Sequence, residues 1–267
     1  MAELDKPDWR AALKEAYERE GSIHGVYDRF WPYSYTNQIL FLMQGYHEPM
    51  ASLKRWNQLG RKVIAGSRAG KVIVPLLVKE RTPEPAEGEE SLEEKRERVA
   101  RLVGFKLVNG VFPLSATTGE ELPHVEPPGW SLQQFLSTTG IREVPFDHTD
   151  GNIQGYSRGL EFAVNPFAVD RGRTIFHEIG HIMCKHTLGG DDVPMHRGQR
   201  EGEAEMTAYL CMKETGTLTD ERATHSRGYL QHWMDGDELP ETSIQRIFRT
   251  VEAILRAGRI APEPAAE

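Results

Sequence analysis

The sequence predicts an α+β chain of two domains, and three observations carry that class. At 267 residues the chain exceeds the usual size of one small domain. Its first half alternates short helical periodicities with Val/Ile/Leu-rich strand segments, whereas its second half is mostly amphipathic helix around short strands. Between them Pro123, Pro127 and Pro128 mark a linker, which sets the domains at 1–125 and 130–267. An apolar content of 39% is enough for ordinary cores.

In the first half, Trp9, Ala12, Leu13, Ala16 and Tyr17 recur at helical spacing, and Gly21 ends the run. A second helix is expected over 34–44, with Ile39, Leu40 and Met43 inward and Gly45 as its stop. From Ala51 to Lys79 the chain holds Lys54, Arg55, Arg61, Lys62, Arg68, Lys71 and Lys79, no acidic residue, and Trp56 in their midst. Residues 71–79 form a strand that Pro75 confines to an edge or bulge. Residues 81–97 carry seven glutamates with Pro83, Pro85 and Gly88, a solvated acidic loop. Apolar alternation returns over 102–112 as one or two more strands.

In the second half, a short helix is expected over 131–136 and strands over 141–146 and 160–164. Asp170 N-caps a helix whose core face is Ile175, Phe176, Ile179, Ile182 and Met183, with Gly189-Gly190 after it. Another helix runs over 198–214. The last opens on a capping box of Thr242 and Gln245, carries the stripe Ile244, Ile247, Phe248, Val251, Ile254 and Leu255, and stops near Gly258.

The capped helix contains His177-Glu178-Ile179-Gly180-His181. Residues four apart lie within about 40° of one helix face, so His177 and His181 can aim two imidazoles at one ion. Glu178 stands beside that ion without binding it. In this role it is the general base, taking a proton from the activated water and returning it to the leaving amine. Two imidazoles and one later carboxylate are what a catalytic zinc site takes from a protein, leaving a position open. Glu201 and Glu205 share a helix face and Glu203 points away from it. Glu201 is assigned as ligand and Glu205 as the outer hydrogen bond to an imidazole, with an exchange of the two roles left open. Zn2+ is the expected cofactor, and such a donor set also accepts another divalent metal such as Mn2+. His186, His196, His225 and His232 read as exposed or outer-contact residues. Tyr156 and Tyr209 are candidate oxyanion donors.

A net charge of -8 excludes a uniformly basic nucleic-acid coat but not a local basic patch. Cys184 and Cys211 form no disulfide framework and read as buried thiols of a reducing compartment. Residues 1–20 are charged throughout with no apolar signal core, and no stretch reaches the roughly 18 apolar residues of a membrane helix. A cytoplasmic chain with no membrane partner is the expectation.

The second half resembles the gluzincin metallopeptidases: His-Glu-x-x-His, nineteen intervening residues, then Glu201 with Glu205 four further on. It is similar to the ImmA/IrrE group and to the zincin-like domain of ArdC-type antirestriction proteins. Gly155-Tyr156 and Phe162-Ala163-Val164-Asn165-Pro166 look like that family's strand and loop before the metal helix. The resemblance implies that Leu160 to Asn165, with Phe162, Val164 and Asn165, is an edge strand pairing with an extended substrate. The first half resembles the single-stranded-DNA-binding domain of ArdC-type proteins through Tyr33-Ser34-Tyr35-Thr36-Asn37, Gln44, Trp56, Gly60-Arg61-Lys62-Val63 and Gly66. Val111-Phe112, Thr117-Thr118-Gly119-Glu120 and Leu122-Pro123 look like its closing strand and exit, with departures at Pro113 and Ala116.

By composition alone the basic run is a solvated face and Trp56 and the tyrosines are core. The resemblance instead implies a track in which Trp56, Tyr33 and Tyr35 stack bases beside Arg55, Arg61, Lys62, Arg68 and Lys71, with Ser34 and Asn37 nearby. The implied function is a DNA-associated zinc metallopeptidase of antirestriction type, with single-stranded DNA and an unidentified protein substrate as partners. The alternatives are a non-catalytic protein that shields DNA on a structural zincin domain, and an ImmA/IrrE-like peptidase that cleaves a repressor.

Overall fold

The computed structural model describes residues 7–18, 33–79, 100–122, 129–150, 152–187, 196–218 and 239–260. The acidic loop over 81–97, the linker prolines, Gly21, Gly189-Gly190, His225 and His232 lie outside them.

Helix α1 (Trp9–Glu18) buries Ala12, Leu13 and Ala16 on the face that the spacing predicts. Helix α2 (Tyr35–Met43) starts at Ser34, whose hydroxyl accepts from Asn37 N at 3.4 Å, and ends before the left-handed Gly45. Strand β1 (Met50–Ser52) leads into the short helix α3 (Leu53–Gln58), then strand β2 (Arg61–Val63). Strands β3 (Gly70–Lys79) and β4 (Ala100–Pro113) form a long antiparallel pair, and β1 adds to the other side of β4. Pro75 thus lies in an edge strand, next to the register shift at Leu76/Leu77. Strand β5 (Thr117–Gly119) pairs with β2.

The edge of β3 is not left bare. Asn37 donates to Ile73 O at 3.0 Å and accepts from Ile73 N at 2.8 Å. One helical face further along, Gln44 accepts from Lys71 N at 2.7 Å and donates to Lys71 O at 3.0 Å. Two amide side chains therefore replace a neighbouring strand and cover polar groups that would otherwise pair elsewhere.

In the second half, β6 (Gly129–Trp130) precedes helix α4 (Leu132–Thr139), capped by Ser131 and closed by the left-handed Gly140. The strand expected over 141–146 is only β7 (Arg142–Glu143). Strands β8 (Gly155–Arg158) and β9 (Glu161–Val164) form a hairpin, with β7 parallel to β9 on its far side. Helices α5 (Arg171–Met183), α6 (Arg197–Glu214) and α7 (Glu241–Ala257) pack together, and β10 (Arg259–Ile260) pairs with β6. The capping box at the start of α7 does not form. The N-cap is Pro240, which has no side-chain donor or acceptor, and Thr242 already lies in the first turn.

The stripe of α7 is buried as expected, with Ile247, Phe248, Val251 and Ile254 fully enclosed. It packs on α5 and α6 and also on α1 and α2, where Phe248 meets the rings of Trp9 and Tyr35. Lys213 of α6 donates to Ala16 O at 2.6 Å. One hydrophobic core therefore contains residues from both sides of position 125. Among the described residues no helix is long and apolar enough to cross a membrane.

Candidate metal centre

Helix α5 is positioned by its two ends and its apolar side. Asp170 accepts from Arg173 N at 3.0 Å and caps the first turn. Ile175, Phe176, Ile179 and Ile182 are buried in the core. That leaves His177 and His181 on the face turned to α6. On α6, Glu201 and Glu205 stand on the near face. The three donor atoms converge: His177 Nε2 and His181 Nε2 are 3.2 Å apart, and Glu201 Oε2 is 3.5 Å from the first and 3.6 Å from the second. Donors about 2.0–2.1 Å from a tetrahedral ion lie about 3.3–3.4 Å from one another, so the triangle matches the size of a Zn2+ or similar site.

Glu205 takes the outer role. Its Oε2 is 3.1 Å from His177 Nδ1, and its Oε1 accepts from Arg173 Nε at 2.9 Å. His181 Nδ1 faces His186 Nδ1 at 3.0 Å, and His186 Nε2 is 2.9 Å from Glu203 Oε2. Glu203, which points away from the face of Glu201 and Glu205, is fully buried and paired with Arg246. Burial alone would disfavour a charged His177, but hydrogen bonds to Glu201 and Glu205 outweigh it and push its pKa up to about 9. Hydrogen bonds from His177 and His181 hold the Glu201 carboxyl well below the usual carboxylate range. Burial works against the Glu203 and Glu205 carboxylates as well, and their His and Arg partners still keep both pKa values low.

Glu178 is 6% exposed and lines the same cleft, of about 610 Å³, as His177, His181 and Glu201. Gly155 and Tyr156 of β8 form another part of the lining. A Cβ on Gly155 would lie 2.6 Å from Thr174 Cγ2 and 3.1 Å from Glu178 Oε1, so glycine is what lets β8 approach the carboxylate. Arg197 and Arg200 also line the cleft, and neither guanidinium has a partner among the described residues. Tyr156 donates to Asp147 Oδ1 at 2.5 Å. Tyr209 is buried against Tyr17 and is not part of the lining.

The substrate strand needs correction. β9 is the central strand of its sheet, with order β7-β9-β8, so both its sides are occupied. Phe162 and Val164 are buried, and Asn165 is spent on Ile153 O at 2.8 Å and Phe167 N at 2.9 Å. The strand that lines the cleft and is an edge among the described residues is β8.

The residues assigned to DNA do not form one track. Trp56 is 0% exposed and donates its indole N–H to Phe112 O at 2.9 Å, so it presents no face to a base. Tyr35 is buried too. Asn37 is committed to β3, and Arg61 clamps β5 through Thr117, Gly119 and Glu120. Tyr33, Ser34 and Asn37 line an apolar cleft of about 620 Å³ that none of Arg55, Arg61, Lys62, Arg68 and Lys71 enters. Burial pushes the Tyr33 hydroxyl up to about 12. Lys62 of β2 and Lys71 of β3 are exposed. The buried thiols are as expected, with Cys184 pushed up to about 11 by burial.

Sequence reasoning missed Arg173, Arg246 and the close approach at Gly155, and left His186 between an exposed residue and the outer contact that it makes with His181. Their contacts depend on how α5, α6, α7 and β8 pack, which no local spacing reveals.

Fold and cleft together define an α+β protein with a two-histidine, one-glutamate candidate metal centre. No protein-family model and no curated protein matches the chain. Among solved structures it is similar to the antirestriction ArdC protein from R388 plasmid. The Mn(II)-bound structure of that protein matches with a TM-score of 0.50 at 13% identity, over 95% of this chain and 98% of that one. Its metal-free structure matches with a TM-score of 0.49 at 15% identity, over 95% and 96%. The likeness is one of fold, and the fold is ArdC-like.

Proposed function

We propose that this chain is a metal-dependent peptidase of antirestriction type that works on a protein substrate in association with single-stranded DNA. The observation that carries the enzymatic part is the convergence of His177, His181 and Glu201 to within 3.6 Å of one another beside Glu178 in one cleft. The ArdC-like fold supports the antirestriction setting, and the manganese in the solved relative supports a divalent ion other than zinc as an occupant.

A divalent ion in this centre supplies Lewis acidity and lowers the pKa of water to about 7 in zinc enzymes. The remaining work falls to side chains of this chain. Glu178 takes the proton from the attacking water and passes it to the leaving amine. The β8 edge, residues 155–158, hydrogen-bonds an extended peptide, so the substrate adds to the sheet as a further strand. Arg197 and Arg200 bring two cations to the wall of the cleft and favour anionic groups on what enters.

The test is metal analysis of the purified full chain, followed by restriction-protection assays of wild type and Glu178→Gln. We expect one divalent ion per chain and, for the variant, retained metal with lost protection. Metal at 100 times its Kd should also stabilise the wild type by about 2.7 kcal/mol. Equal protection by the variant would instead support shielding of DNA without turnover. A chain without metal would remove the peptidase reading.

A further inference from the structure

Resting on the metal-centre reading above, we propose that His186 is a positioning residue that holds His181 in the one tautomer able to bind metal. It does so as the middle link of a chain of hydrogen bonds anchored by Glu203 and Arg246.

The backbone places it there. Helix α5 ends with His186 N donating to His181 O and Lys185 N donating to Ile182 O, each at 2.9 Å. Lys185 between them has φ 67. This is the paired closure of a Schellman end, with lysine where glycine is usual. The left-handed residue folds the chain back, and the His186 ring comes to lie over that of His181 with centroids 5.1 Å apart. Five residues of straight helix would have put the two on different faces.

The proton positions then follow from donor and acceptor counting. His181 Nε2 faces His177 Nε2 and Glu201, so as a ligand it must carry a lone pair there. A neutral His181 then has its proton on Nδ1. That proton points at His186 Nδ1, 3.0 Å away, which must accept it. A neutral His186 accepting at Nδ1 carries its own proton on Nε2, which faces Glu203 Oε2 at 2.9 Å. Arg246 Nη1 donates to both Glu203 oxygens, at 3.2 and 3.1 Å, and keeps that buried group an acceptor. The reverse assignment fails twice: it would set a bare His186 nitrogen against a carboxylate and put a proton on His181 Nε2, where the metal belongs. His177 is held differently, by a carboxylate directly.

Cys184, His186 and Glu203 also bring three donor atoms within 4.8 Å of one another. There, however, Cys184 is paired with Thr250 at 3.4 Å, and a cation would stand against the Arg246 guanidinium. The geometry favours the relay over a second metal.

The experiment compares full-length wild type, His186→Leu and His186→Asn. Asparagine keeps a carbonyl acceptor near the Nδ1 position, whereas leucine fills space without one. Zn2+ affinity is read by competition with a chromophoric chelator, Co2+ coordination by its visible spectrum, and the metal-free fold by thermal melting. We expect one equivalent of metal in wild type, affinity about 10–100-fold weaker with an altered Co2+ spectrum in His186→Leu, and recovery of most of both in His186→Asn. The metal-free melts of the two variants should coincide. Wild-type affinity in the leucine variant, asparagine as weak as leucine, or a second wild-type equivalent lost in both variants would each overturn the relay. Absence of any metal in wild type would instead overturn the reading on which it rests. Should a variant not fold, the 15N shifts of the wild-type histidines decide: His186 protonated on Nδ1 is incompatible with the relay.

Discussion

Gly180 lies against the backbone of Ala204, so closely that a Cβ at position 180 would stand 3.1 Å from the Ala204 carbonyl oxygen and 3.2 Å from its Cα. The helices carrying the imidazoles and the carboxylate touch at this point. A larger residue must push them apart, and Glu201 then moves away from His177 and His181. Gly180→Val is expected to cost about 1–3 kcal/mol by overpacking. That corresponds to roughly 2–4 °C of melting temperature per kcal/mol in a chain near this size. The variant should also lose metal affinity, while Gly180→Ala loses less of both. Chelator competition and thermal melting check this. A valine variant with wild-type metal affinity would show that the crossing does not set the donor triangle.

Gly155 makes a similarly close approach in the wall of the cleft. A Cβ there would meet Ala163 O at 2.9 Å as well as Thr174 and the Glu178 carboxylate. Alanine at 155 is expected to shift β8 and displace Glu178 while leaving the three donors in place. Metal binding should persist and protection in the restriction assay should fall at least as far as the melting temperature explains. Wild-type protection from Gly155→Ala would separate β8 from the chemistry.

Arg173 and Glu205 test how the buried carboxylate is held. Glu205 is 1% exposed and has Arg173 Nη2 at 2.7 Å. Breaking a fully buried pair costs about 3–5 kcal/mol, and the 37% exposure of the Arg173 side chain lowers the expectation for Arg173→Met to about 1–3 kcal/mol. Glu205, the partner of His177 Nδ1, loses its anchor at the same time, so metal affinity should drop about 10-fold or more. Urea denaturation with and without metal measures both terms.

Much of the centre was legible because it rests on helical periodicity. The pairing of His177 with His181 and the separation of Glu203 from Glu201 and Glu205 follow from the turn per residue, and the Asp170 cap from its short side-chain acceptor. The relay was not legible, because His186 reaches His181 only through the left-handed Lys185, a conformation lysine rarely adopts. The edge strand was misplaced for a different reason. A strand is expected over 141–146, but no local pattern shows that its two paired residues, Arg142–Glu143, lie beside β9 and make β9 central. At Trp56 composition alone, which reads it as core, agrees with the structure, and the stacking role implied by the resemblance does not: its indole is enclosed against Ala51 of β1 and Phe112 of β4.

For single-stranded DNA the same burial makes a discriminating expectation. If a basic surface holds the strand, affinity falls with salt and each phosphate-contacting cation removed lowers the slope of log K against log salt by about 1. Lys62→Ala, at an exposed position of β2, should do this with little change in stability. Arg61→Ala should behave otherwise, because its guanidinium joins β2 to β5. Trp56→Phe removes an enclosed indole and its bond to Phe112 O, so it should lower the melting temperature and leave the salt slope unchanged. Fluorescence anisotropy of a labelled oligonucleotide over a salt series, paired with thermal melts, separates the three. A Trp56→Phe protein that melts like wild type but loses DNA affinity would mean that the indole leaves its core to stack on bases. Lys62→Ala with an unchanged slope would move the contact surface away from β2.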